Sequence, residues 1–73
     1  MKSWSQANKC IQQALDIANQ LIALADKGDL NSRDDSCHVL YGVIRDCGYK
    51  IRARAEAERE AHKMRGVWDD EAA

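Results

Sequence analysis

The chain has 73 residues, with 11 Lys+Arg against 12 Asp+Glu, three Cys, no Pro and no Phe. That length holds one domain, and a net charge of −1 offers no chain-wide basic field to draw it onto nucleic acid or anionic lipid. The longest unbroken apolar run, 21–25, is five residues, whereas a membrane-spanning helix needs roughly 20, so no membrane association is expected.

Residues 1–9 contain no apolar stretch of the kind a secretory signal carries. An odd number of cysteines fits a reducing compartment better than a disulfide framework, and a cytoplasmic location is the expectation. Apolar residues make up 45% of the chain, but eleven of them are Ala. Domains of this size draw only a few kcal/mol from one core. With no disulfide or metal in evidence, the usual remedy is a second copy of the chain. A charged fraction of 32% and the lack of Pro favour long helices with solvated faces.

Ser3-x-x-Gln6 is a capping box and marks a helix start. Apolar residues then fall at 4, 7, 11, 14, 18, 21 and 25, the alternating three- and four-residue spacing of a helix seam. Two flanking rows are also apolar: Cys10, Ile17 and Leu24 on one side, Leu15 and Ile22 on the other. An arc this wide is more than one neighbouring helix covers, so this helix should pack against two others. Gly28 is placed to end it, giving a first helix over about 4–27.

After a connection at 28–31, Ser32-x-x-Asp35 reads as a second start, with Asp34 and Asp35 where the helix dipole favours anions. The pattern predicts a second helix over about 33–65, with Gly66 as its stop and a frayed acidic tail over 66–73. Cys37, Val39, Leu40, Tyr41, Val43, Ile44, Cys47, Gly48 and Ile51 share one broad apolar arc. Beyond Ile51 that arc turns polar at Arg54, Glu58, His62 and Arg65, and a weaker stripe runs through Ala53, Ala57, Ala61, Met64 and Trp68. A short link makes the helices antiparallel neighbours. Folding back from that link sets Leu21 against Leu40, Ala14 against Cys47, Ile11 against Ile51, and Trp4 near Ala57 or Glu58. The last two turns of the second helix should then project past the first.

Few constellations could carry chemistry. Cys10, Cys37, His38, Cys47 and His62 are possible metal ligands, but their spacing puts them on different sides and at different heights of the helices. Cys10 and Cys47 miss each other by about a turn, so no disulfide is expected within the hairpin. Asp29-x-Asn31-x-Arg33-Asp34 begins like a calcium loop, then places Arg33 at the fifth position, Asp34 at the obligatory Gly and Leu40 at the bidentate Glu. No phosphate-binding Gly loop, nucleophile elbow or zinc-protease helix is present. His38 and His62 read as solvated surface groups or as members of helix pairs, His62 with Glu58 four residues earlier. The expectation is no enzyme, no cofactor and no metal.

The expected fold class is all-α: a single antiparallel two-helix hairpin that pairs, by coiled-coil-like packing, into a four-helix bundle. The residues expected at the core and dimer interface are Trp4, Ile11, Leu15, Ala18, Leu21, Ile22, Leu40, Val43, Ile44, Cys47 and Ile51. The projecting end, with Met64 and Trp68, either packs on the second copy near Trp4 or is a candidate docking helix for a protein partner. The stripe of Arg45, Tyr49, Arg52, Arg59 and Lys63 offers cations and an aromatic ring to RNA. On the ordinary reading that stripe is a solvated face held by intrahelical pairs such as Arg52–Glu56, Glu56–Arg59 and Glu60–Lys63. The layout of a short chain, two antiparallel helices and an Asp-rich turn resembles the plasmid copy-number regulators. Those are dimeric helical hairpins that bind paired RNA loops on one bundle face. The resemblance is one of architecture and implies a dimeric bundle. The expected role is a small non-enzymatic interaction or regulatory module acting as a homodimer; the alternative is an RNA-binding regulator.

Overall fold

A computed structural model of the chain describes residues 4–68 and contains two helices, α1 (Trp4–Asn31) and α2 (Asp35–Met64). They pack along their whole length as an antiparallel hairpin, a rod of 49 × 19 × 17 Å. Among the described residues there is no strand and no helix long and apolar enough to cross a membrane. The all-α hairpin expected from the sequence is the fold observed. The Ser3 hydroxyl of the predicted capping box and the acidic tail beyond Trp68 lie outside the described residues.

Gly28 does not end α1. The helix runs through it to Asn31, whose side-chain amide donates to the Lys27 carbonyl at 2.8 Å. Gly28 is buried, and a β-carbon there would collide with the ring of Tyr41. The missing side chain therefore serves a close contact between helices, not a turn. The start of α2 also differs. Asp34, with extended backbone, is the N-cap and accepts the Cys37 N–H at 2.9 Å. Ser32 instead donates its hydroxyl to the Asp29 carbonyl at 3.1 Å. Gly66 does end α2, at φ 75°. Its N–H donates to the Lys63 carbonyl at 3.0 Å and the Val67 N–H to the His62 carbonyl at 2.9 Å, a Schellman motif.

The turn thus sits at residues 32–34, about three residues later than predicted. In an antiparallel pair every cross-helix partner moves by twice that shift, close to two helical turns. Gly48 faces Ala18, Leu21 and Ile22 in place of the predicted Ala14–Cys47 pairing. Trp4 stands edge-on to His62, ring centroids 5.3 Å apart, and not beside Ala57 or Glu58. The end of α2 consequently does not project past α1. It is tied to the first turns of α1 by Asn8, whose amide donates to the Val67 carbonyl at 2.8 Å.

The seam is also rotated from the expected one. In α1 the buried residues are Asn8, Leu15, Ala18, Ala25 and Gly28; in α2 they are Gly48, Ala55 and His62. The second set is spaced seven apart and continues the row of Tyr41. The contact is close because it is small: Ala18 and Ala25 are wholly buried, and Leu15 is the single large apolar side chain in the core of the described residues. At Gly48 a β-carbon would lie 2.8 Å from Ile22 Cγ1 and 3.1 Å from the Ala18 carbonyl oxygen. Gly42 meets nothing within 4 Å of where its β-carbon would be. Gly42→Ala should therefore stabilise the hairpin by about 1 kcal/mol through helix propensity alone. Chemical denaturation reads this as a higher midpoint at unchanged slope.

Candidate functional site

The two long sides of the hairpin differ in chemistry. One is polar and is closed by contacts between the helices. Arg45 donates through Nη2 to Asp26 at 2.9 Å and to Asp29 at 2.6 Å. Arg52 donates to the Asn19 side-chain oxygen at 3.3 Å and lies over the Tyr49 ring, 4.9 Å from its centroid. Arg52 thus reaches across to α1, where the sequence suggested an intrahelical pair with Glu56. Lys63 does make its predicted pair with Glu60, at 3.8 Å. Arg59 is half-buried, and its Nε is enclosed with no hydrogen-bond partner among the described residues. The basic stripe is therefore real as a row, but Arg45 and Arg52 each turn one guanidinium nitrogen to α1.

The Arg45 hydrogen bond holds the Asp29 carboxyl below the usual carboxylate range, with a smaller contribution from His38. The Cys37 N–H does the same for the Asp34 cap. Both folded-state values lie below the unfolded one of about 4, so each group adds stability above that pH and loses it as pH falls through the folded value. The denaturation midpoint should be flat above about pH 5 and drop below about pH 4. Asp29→Asn should shrink that acid-side drop, which a pH series of urea titrations would show.

His62 corrects the sequence reading most sharply. Of the two sequence readings, solvated surface or a helix pair with Glu58, the first fails: the residue is 6% exposed. Its Nδ1 donates to the Asn8 side-chain oxygen at 2.7 Å, Nε2 lies 3.8 Å from Glu58, and the Trp4 ring stands nearly perpendicular against it. Asn8 thus bridges His62 and the Val67 carbonyl and closes the open end of the hairpin. Asn8→Ala leaves two polar groups without partners and should cost about 1–3 kcal/mol, read from the denaturation midpoint. Neither Asn8 nor His62 has an apolar side chain, so periodicity passed over both. The heptad row 41, 48, 55 and 62 was the available signal.

The other long side is apolar and open. On α1 the row Cys10, Ile17 and Leu24 is exposed, with Ile17 at 53% and Leu24 at 47%. On α2, Leu40 is exposed at 52%, Val43 at 55% and Ile51 at 37%, and Cys47 joins them. Ile11, Leu21, Ile22 and Ile44 are half-buried beneath or beside these rows, Leu15 and Ala18 are in the seam, and Trp4 is half-exposed at the open end. The predicted interface set therefore divides between the intrahairpin seam and a single uncovered face. Between the two rows lies an open groove of about 490 Å³, lined by Cys10, Ile11, Ala14 and Ile51 together with Lys50, Arg54, Ala55 and Glu58. At the end of α2, Met64 is exposed and Trp68 half-buried, while Ala53, Ala57 and Ala61 face outward. All three cysteines are free, and among the described residues no group of three or more His, Cys, Asp or Glu could hold a metal ion.

Comparison with protein-family models, with curated proteins and with solved structures finds no match for this chain.

Proposed function

We propose that the chain is a non-enzymatic interaction module that works as a homodimer, its apolar face covered by a second copy in a four-helix bundle. One observation carries this reading: Ile17, Leu24, Leu40, Val43 and Ile51 form an uncovered face across both helices while the seam between them is built mainly of Ala and Gly. Soluble monomers rarely tolerate contiguous apolar patches beyond a few hundred Å². The area involved points the same way. The chain exposes 5595 Å². A compact monomer of 8.2 kDa exposes about 4,500 Å². The excess of roughly 1,000 Å² comes with the rod shape, and covering one long face with a second copy would remove the ~800 Å² that each partner contributes to a standard interface. Free cysteines on this face suit a reducing compartment, and a cytoplasmic location belongs to the same proposal.

Light scattering on a purified micromolar sample tests it. The expected mass is twice the 8.2 kDa of one chain; a mass of one chain contradicts it. The RNA alternative makes a different demand. It requires retention on RNA that falls steeply with salt and is lost on Arg59→Glu. Arg45 and Arg52 have less to give such a ligand, because Asp26, Asp29 and Asn19 already hold them.

A further inference from the structure

The apolar face has two unlike ends. Near the open end of the hairpin it is hollow, because Cys10, Ala14 and Ala55 are small and leave the groove between the helices. Near the turn it is raised: Leu24, Val39, Leu40 and Val43 all stand out, between 47% and 66% exposed. The two ends lie on the same rows. Leu24 follows Cys10 by two heptads, and Leu40 and Val43 precede Ile51 and Arg54 by eleven residues, close to three whole turns. Hollow and ridge are thus successive stretches of one surface, about 20 Å apart along the rod.

A two-fold pairing of this face has two ways to align the rods. With the axis parallel to the helices, hollow meets hollow and ridge meets ridge. One end then keeps an unfilled cavity, which forfeits contacts, and the other is overpacked. With the axis across the helices, one copy is reversed and each ridge enters the other's hollow. We infer that the second copy packs antiparallel, the turn-end side chains Leu24, Leu40 and Val43 of each protomer seated in the groove of the other. This rests on the homodimer reading above and adds its orientation. The groove is incomplete in one chain and is filled by the mate.

The experiment is double electron–electron resonance on the full chain. Lys9, Gln20 and Arg33 are each replaced in turn by p-acetylphenylalanine carrying a nitroxide, which leaves the native cysteines in place. All three positions are exposed: one near the open end, one near mid-rod and one at the turn. Antiparallel packing puts the Gln20 labels nearest each other, with the Lys9 and Arg33 pairs each longer by at least about 10 Å. Similar distances at all three positions mean a parallel dimer and overturn the orientation alone. Loss of dipolar modulation at every position means a single chain and overturns the dimer as well.

Discussion

Leu40→Glu and Val43→Glu, made together, will convert the proposed dimer to single chains. Each side chain is about half exposed in the lone hairpin. It therefore has roughly half of the ~1.5–3 kcal/mol of full burial still to gain from a partner. Four such side chains meet in a two-fold pair, so the loss is about 3–6 kcal/mol, or a hundredfold to ten-thousandfold in dissociation constant. The carboxylates add the cost of burying charge without partners. Tyr49→Glu with Lys63→Glu is the matched control, since both side chains are exposed two heptads apart on the polar side of α2, away from the groove. That pair should leave the dimer mass unchanged in sedimentation. A dimer that survives the first pair and dissociates with the second would place the interface on the opposite side of α2.

Gly48→Val will remove a large share of the hairpin's stability. A β-carbon at Gly48 would press on the Ala18 carbonyl oxygen and Leu21 Cβ as well as Ile22. Ile22 Cγ1 can swing aside by rotamer, but a helix backbone oxygen cannot, so α2 must back away along its whole central stretch. Overpacking of this kind costs about 3 kcal/mol, occasionally more. A chain of this length holds only ~4–11 kcal/mol in all. Gly48→Ala sets the same clash partly against a helix-propensity gain of about 1 kcal/mol and should cost less. The ordering Gly42→Ala above wild type, then Gly48→Ala, then Gly48→Val is read directly from thermal midpoints. Gly48→Ala ranking above wild type would mean that the helices are not in contact there.

The two glycines also show where sequence reasoning reaches and where it stops. Helix content, the antiparallel link and the Gly66 terminus follow from local signals: three- and four-residue apolar spacing, a short polar connection and a residue suited to positive φ. Gly28 and Gly66 look alike on the same evidence, since each follows a long periodic stretch. They differ only in what comes near them. Tyr41, thirteen residues on, covers Gly28 and makes it an interior position. Likewise Ser32 and Asp34 are both competent caps, and their local sequence does not choose between them. The choice moves the turn and, through it, every pairing down the hairpin. A three-residue shift of the turn moves the far end of α2 by close to two helical turns, which is why it ends level with the start of α1.

The candidate interface was legible for a related reason. The width of the apolar arc on α1 required two neighbours whichever part of it faced α2. Which part is uncovered depended on contacts that periodicity does not see. Arg45 with Asp26 and Asp29, Arg52 with Asn19, and His62 with Asn8 all join the helices on or beside the polar side of the seam. They draw α2 toward Leu15 and Ile22 and leave the row of Cys10, Ile17 and Leu24 outside.

Folding should therefore be inseparable from pairing, and the dependence of thermal unfolding on protein concentration tests this most directly. If a second chain completes the core, a hundredfold dilution lowers the unfolding midpoint by about 5–10 °C, because two free chains appear for each bundle lost. A midpoint that stays put across that range, with a cooperative transition and the mass of a single chain, would contradict the account.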